Sequence, residues 1–188
     1  MDWFFSIIRI AGVAFPGAAA LVQLQAEIDS VSLKKRVSKL EDPISWLHDD
    51  VPELSRHLYR KLKAENSLKL RFDDDFYTEH SRALAVLETR GHLKGSHALG
   101  KRFAEGLWVT DPSYVMYMCV LEEDDAKMGA IIKAVEDCQV GKWLDGKVLQ
   151  TSIGLPLPVI KAVFDIYEGK GYGLCSKTIG VYEYLGIA

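Results

Sequence analysis

Two stretches that lie 80 residues apart in this chain share one pattern. Residues 86–96 read VLETRGHLKGS, and residues 166–176 read IYEGKGYGLCS. In both, a Glu and a cation precede a glycine, which is followed by a ring-bearing residue and, four positions later, by Ser. A cation suits the negative carboxyl end of a helix, and glycine permits a left-handed helix cap. The pattern therefore predicts that a helix ends at Gly91 and at Gly171, and that the chain turns back there as a β-ribbon.

The residues around the first copy have the periodicity of a small helical module. Apolar positions predict a helix over 51–64 and a short strand over 67–72, followed by a helix that the acids at 73–75 cap and that continues to Leu87. Two short segments on either side of GKRFAE then predict a β-hairpin with a basic tip.

The second copy has similar surroundings. The sequence predicts a helix over 128–138, a short helix or turn over 147–152, and a helix over 157–168 that begins after the turn GLPLP. Two strands around a Ser-Lys-Thr turn complete the series.

This repeated order of elements resembles the winged-helix superfamily, a helix-turn-helix variant, at residues 51–112 and 127–188. The expected fold class is mainly α with short β-hairpins: tandem winged-helix modules that follow an apolar N-terminal helical segment. We divide the chain into residues 1–50, a first module over 51–126 and a second over 127–188. Winged helices serve both DNA recognition and protein contact, so the resemblance leaves the function open.

The amino terminus is an apolar stretch with one charge. Residues 3–22 match the length of a bilayer-spanning helix, but Arg9 lies within them and the sequence FPG at 15–17 breaks or kinks a helix. Three interpretations stay open: a hairpin or span in a membrane, a helix buried in an oligomer or against the body of the protein, and an interfacial anchor. The candidate membrane or oligomer contacts are Trp3, Phe4, Phe5, Ile7, Ile8, Ile10, Val13, Phe15 and Leu21.

A basic amphipathic segment follows. Its apolar positions include Leu33, Val37 and Leu40 at helical spacing, and its cations are Lys34, Lys35, Arg36 and Lys39. Such a cluster either contacts anionic lipid headgroups, which favours the cytoplasmic side of a membrane, or forms a solvated helix face.

Cations near the two copies of the pattern are the candidate contacts for nucleic acid or a partner protein. In the DNA interpretation, the helix over 157–168 enters the major groove, although it has no Arg, Asn or Gln that could pair with base edges. The candidate residues are Arg82, Arg90, Lys94, Lys101, Arg102, Lys161, Lys170 and Lys177.

Composition and motifs argue against several classes of function. A net charge of −3 lacks the cationic field of a strong nonspecific nucleic-acid binder. The three cysteines and five histidines have no metal-ligand spacing, and GKGYG lacks the arrangement of a phosphate-binding loop. We expect no metal, no cofactor, no small-molecule substrate and no catalytic residues.

Two hypotheses remain. The first is a non-enzymatic, bacterial-type adaptor or effector, which associates with a membrane or oligomerises through its N-terminal helices and binds a protein partner through its modules. The alternative is a winged-helix transcriptional regulator that binds duplex DNA and dimerises through the apolar N-terminus. In either case the expected location is the cytoplasm or the cytoplasmic face of the inner membrane.

Overall fold

A computed structural model describes Ile44, residues 47–96, residues 104–176, Thr178 and residues 180–187. These residues form seven helices and two three-stranded antiparallel sheets, consistent with the expected combination of helices and small hairpins. None of these helices is both long enough and apolar enough to cross a bilayer. The predicted N-terminal segment, including all of its candidate contacts from Trp3 to Leu21, lies outside the described residues.

The described residues of the first half form three helices and three strands. These are α1 (Val51–Glu65), β1 (Lys69–Leu70), α2 (Asp74–Glu79), α3 (Ser81–Thr89), β2 (Leu93–Ser96) and β3 (Gly106–Val109). Strand β3 lies in the centre of the sheet and pairs antiparallel with both β1 and β2.

The second half begins with an additional helix and then repeats the same order. It consists of α4 (Pro112–Leu121), α5 (Asp125–Glu136), β4 (Trp143–Asp145), α6 (Gly146–Ile153), α7 (Leu157–Gly169), β5 (Gly173–Cys175) and β6 (Glu183–Gly186). Strand β6 is central, between β4 and β5. Elements α1 to β3 and α5 to β6 thus share one order and one sheet topology.

The two glycine caps that the repeated pattern predicts are confirmed. Gly91 and Gly171 both have φ = +80°, a conformation that L side chains rarely adopt. The N–H of each glycine bonds the carbonyl three residues earlier, Gly91 to Glu88 at 3.0 Å and Gly171 to Glu168 at 2.9 Å. The next N–H in each copy bonds a carbonyl five residues earlier, as in a Schellman motif. Each helix then leads into an edge strand of its sheet.

The prediction of one continuous helix up to Leu87 is wrong, because the chain forms two helices there. The carboxylate of Asp73 caps α2 by accepting the N–H of Phe76 at 3.0 Å. At His80 the backbone leaves the helical conformation, with φ −98° and ψ 15°. The His80 ring is buried and lies edge-on to Phe76, which fixes the bend between the helices.

Helix α4, which the sequence analysis did not predict, connects the two halves. Asp111 caps it by accepting the N–H of Ser113 at 2.8 Å, and Pro112 begins it. Six consecutive residues, 114–119, are buried, so this helix is covered on all sides. It packs against both α1 and α7, and the buried apolar residues of the two halves form one core.

Candidate functional site

The first sheet has an exposed row of cations around one tryptophan on the face opposite the core. The strand register places Trp108 directly between Lys69 and Lys94, and all three side chains are exposed. The Lys69 ammonium lies 5.6 Å from the Trp108 ring centroid, within the range of a cation–π contact. We call Lys69, Trp108 and Lys94 the cationic row.

The second sheet has apolar side chains at the equivalent positions. Leu185 lies directly between Trp143 and Leu174, and this apolar row crosses all three strands. Trp143 is 55% exposed and Leu174 is 50% exposed. Next to the row on the same face, Asp145 pairs in register with Glu183, so two carboxylates border the apolar side chains. We call Asp145 and Glu183 the acidic pair.

The equivalent helices α3 and α7 differ in exposure. Helix α3 exposes Ser81, Arg82 and Ala85 to solvent. Helix α7 is buried at nine of its 13 residues and packs against α4, α5, α6 and β5. A helix that is covered in this way cannot enter a DNA groove without separation from the rest of the core.

A groove of about 860 Å³ separates the two sheets. Lys69 and Trp108 line it from the first half, and Lys161, Asp165 and Tyr182 are among the lining residues from the second. One of its other lining residues makes a direct link between the halves that the sequence did not indicate.

That link is the side chain of Asn66, which ends α1 in the left-handed conformation (φ 49°, ψ 42°). Its Oδ1 accepts the N–H of Leu157, the first residue of α7, at 2.8 Å, and the Gln150 side-chain amide at 3.5 Å. One half of the molecule therefore caps a helix of the other.

One cluster in the described residues has the donor types of a metal site. The side-chain ligand atoms of Asp165, Glu168 and Cys175 lie within 4.8 Å of one another. Lys161 already bonds both Asp165 oxygens, and the Cys175 backbone N–H bonds the Glu168 carboxylate at 2.9 Å. The Lys161–Asp165 contact lies within α7, the Glu168–Cys175 bond joins α7 to β5, and we assign no metal to these residues.

A buried polar network joins α1 to the region between α4 and α5. The Tyr59 hydroxyl donates to Asp124 at 3.0 Å, and its oxygen lies 3.3 Å from the Cys119 sulfur. Burial alone raises the pKa of Asp124, but hydrogen bonds from Lys127 (2.7 Å) and Lys63 (2.8 Å) outweigh it, so this pKa lies below its ordinary value.

Burial raises the pKa of the Cys119 thiol to about 12, and the Tyr59 phenol also has a raised pKa for the same reason. A thiol with so high a pKa is protonated at neutral pH and is a poor nucleophile. The network therefore holds helices together rather than providing a reactive group.

The predicted cations fall into two groups. Arg82 and Arg90 lie exposed on α3 and at its end, and Lys94 lies in the cationic row. Among the described residues, none of these three forms a salt bridge. On the second half, Lys161 pairs with Asp165, and Lys170 is half-buried at the end of α7.

Three of the predicted contacts, Lys101, Arg102 and Lys177, lie outside the described residues. The residues that sequence reasoning missed are those of the apolar row, Trp143, Leu174 and Leu185. The alternation in YGLCS could have placed Leu174 on an outer face, but the register that brings the three together is not readable from the sequence.

Comparisons of the chain with protein-family models, with curated proteins and with solved structures gave no significant match.

Proposed function

We propose that the protein is a non-enzymatic adaptor built from two winged-helix modules, which self-associates and binds a protein partner. Residues 1–50 take part in that association or attach the protein to a membrane. The winged-helix assignment is supported by the order helix, strand, helix, helix, strand, strand, which occurs twice with the C-terminal strand central in each sheet. The fold alone does not choose between protein and DNA as a partner, so the surfaces must decide.

The observation that carries the proposal is the apolar row of the second sheet. Singly exposed apolar side chains are common on soluble proteins, but a contiguous group bordered by charges is typical of an interaction site. Trp143 is an especially favourable residue for such a site, because tryptophan contributes a large apolar area with little conformational freedom.

The occupant that we assign to the apolar row is the basic amphipathic segment of residues 33–40 from a second copy of the chain. This segment has Leu33, Val37 and Leu40 at helical spacing and four cations within residues 34–39. Its apolar positions match the apolar row, and its cations complement the acidic pair. The cationic row of the first sheet repels the same segment, which makes the docking specific for the second module.

The test is the mass of the full-length chain in sedimentation velocity, in plain buffer and in mild detergent. We expect the wild type to be a dimer or larger in both. Leu174→Lys, which introduces the residue found at the equivalent position of the first sheet, should weaken association by about tenfold or more, because it buries a cation in an apolar contact. Trp108→Lys likewise replaces an exposed apolar side chain by lysine, but in the cationic row, and should leave the mass unchanged. A monomeric wild type, or an L174K variant that associates normally, would disprove the docking.

A charge exchange identifies the occupant. Glu at positions 34, 35, 36 and 39 should dissociate the oligomer, and Asp145→Lys with Glu183→Lys should restore association in that background. If the acidic-pair substitutions do not rescue association, another part of the chain occupies the apolar row.

The duplex-DNA alternative is favoured by one observation: Arg82, Arg90 and Lys94 of the first module are exposed and form no salt bridge with any described residue. Against it, four carboxylates, Asp73, Asp74, Asp75 and Glu79, lie exposed on α2 and at its start, and repel phosphates from the same region. If the protein binds duplex DNA, Arg82→Glu with Lys94→Glu should reduce the affinity and lower the slope of log affinity against log salt by about 2. An unchanged slope would exclude this surface as the DNA contact.

A further inference from the structure

A half-open pocket of about 280 Å³ lies in the second module, where α5 and α7 end beside the β5–β6 hairpin. Three tyrosines, Tyr167, Tyr172 and Tyr184, and the carboxylate of Glu136 are among its lining residues. The rings of Tyr167 and Tyr172 have centroids 6.1 Å apart and are inclined at 56°, so they form two walls that meet at an angle. The volume suits a small group rather than a drug-sized ligand.

The electrostatics of the pocket favour a cation. The Tyr167 hydroxyl donates to Glu136 Oε1 at 2.8 Å, which orients the carboxylate at the pocket wall. Glu136 has no salt bridge to any described residue, and no described lysine or arginine lines the pocket. Glu136 is the last residue of α5 and Tyr167 lies in the last turn of α7, so the negative ends of two helix dipoles are near the pocket.

The phenols of Tyr167 and Tyr184 have raised pKa values. Burial is the main cause that raises the pKa of Tyr184 to about 12, and it also raises that of Tyr167, with the Glu136 carboxylate as a further cause. Both rings therefore keep their hydroxyl protons, and the negative charge of the lining residues is that of Glu136.

The tyrosines are specific to the second module. At the three equivalent positions the first module has Leu87, His92 and Leu107, of which the two leucines are buried core residues. His92 is tied to the cap of α4 through Asp111 at 2.6 Å, whereas Tyr172 is 50% exposed and borders the pocket. Tyr167 and Tyr184 are themselves buried, at 6% and 1% exposed, and fill the core as the two leucines do, so Tyr172 is the tyrosine that packing of the core does not require.

We propose that this pocket binds a small alkylammonium cation against the exposed ring of Tyr172, with Glu136, which the Tyr167 hydroxyl orients, as its counter-charge. Aromatic rings attract alkylammonium groups through the negative charge density of their faces, and methylated ammonium groups are preferred because water solvates them weakly. The site is independent of the apolar row, so it holds whether or not the protein self-associates.

The test compares choline with its neutral isostere 3,3-dimethylbutanol, which has the same shape but a carbon in place of the charged nitrogen. We expect calorimetric or NMR titration of the full chain to show choline bound at least about tenfold more tightly than the alcohol. Equal binding of the two compounds, or no choline binding at about 50 mM, which is beyond the range of typical small-ligand affinities, would overturn the proposal.

Variants locate the site. Tyr172→Leu alters an exposed wall without disturbing the core, and Glu136→Gln removes the counter-charge while keeping the side-chain shape; each should weaken choline binding by about tenfold. Asp137→Asn removes an exposed carboxylate beside Glu136 that does not line the pocket, and its affinity for choline should be that of the wild type. Loss of binding in Asp137→Asn with retention in Glu136→Gln would place the cation elsewhere.

Discussion

Helices α3 and α7 occupy equivalent places in the two halves of the molecule, yet one faces solvent and the other lies in the core. At the same position, 80 residues apart, α3 exposes Arg82 and α7 buries Ala162. One turn later Val86 is half-buried, whereas its counterpart Ile166 is buried. The two halves thus share one order of elements, and the side chains on one face of the helix determine whether that helix is exposed or buried.

Helix α4 is the physical cause of the difference. It packs against α1 in the first half and against α7 in the second. It therefore covers α7, whereas α3, the counterpart of α7 in the first half, stays exposed on one face. The outer sheet faces differ in a matching way, with the cationic row on the first module and the apolar row on the second. We infer that α4 connects the halves by covering α7, while α3 in the first half keeps an exposed face.

Exchange of the residues at positions 82 and 162 has the largest expected effect on this comparison. Ala162→Arg places a long cation in a position that is 3% exposed, and should reduce the free energy of unfolding by about 3 kcal/mol or more. Arg82→Ala removes an exposed side chain and should change it by less than about 0.5 kcal/mol. Urea unfolding of both variants, followed by circular dichroism, measures the two values.

Equal effects of the two substitutions would break the comparison. A tolerated arginine at position 162 means that α7 separates easily from α4, and the second module would then regain a free helix for DNA. A large loss in Arg82→Ala would mean that α3 is covered by a part of the chain outside the described residues.

The inner faces of the two sheets are also filled differently, and Gly173 tests this. The buried pair Leu93 and Leu107 in the first sheet corresponds to Gly173 and Tyr184 in the second. The Tyr184 ring occupies the space above Gly173, and a Cβ at that position would overlap the ring. Gly173→Ala should therefore cost about 1–3 kcal/mol through overpacking, whereas Leu93→Ala should cost about 2–5 kcal/mol through a cavity.

Thermal unfolding of the two alanine variants, each with and without a second substitution, distinguishes overpacking from a cavity as the cause of the lost stability. A second substitution, Tyr184→Leu, restores the leucine of the first module and should reduce the loss in Gly173→Ala, because the smaller side chain leaves room for the methyl group. The same second substitution should not rescue Leu93→Ala. Without such selective rescue, the ring is not what excludes a side chain from position 173.

Local signals in the sequence were sufficient for much of the fold. The helix ends at Gly91 and Gly171 were predictable because a cap depends on a few adjacent residues. Helix α4 was not, because its buried residues 114–119 cover the whole circumference and leave no apolar stripe to recognise. Strand β4 was missed because it is only three residues long, too short for alternation to be visible.

The candidate surfaces were predictable only in part. Exposed cations such as Arg82 and Lys94 could be listed from composition alone, since charged residues are seldom buried. The apolar row and the tyrosine pocket depend on which strands pair and in which register, and this is set by contacts between residues far apart in the chain. Asn66, which caps α7 from the other half, is a further case of a contact that no local pattern indicates.

The smallest expected effect concerns the feature that the two halves share most closely, the glycine caps. Beyond the adjacent residues, no atom of the described part of the chain lies within 4 Å of the position that a Cβ would take at Gly91 or at Gly171. Alanine therefore adds only the strain of a left-handed backbone at φ +80°. Each substitution should therefore lower the free energy of unfolding by about 1 kcal/mol, and by similar amounts in the two modules. Asparagine tolerates this conformation better than alanine, so Gly→Asn should cost less at both sites.

Urea unfolding of the four single variants and the double alanine variant measures these differences, and the double loss should equal the sum of the single losses because the sites share no partners. If one alanine variant loses several times more free energy of unfolding than the other, the surroundings of the two caps differ from those described. The two halves would then not be equivalent at Gly91 and Gly171, the residues that first indicated the repeat.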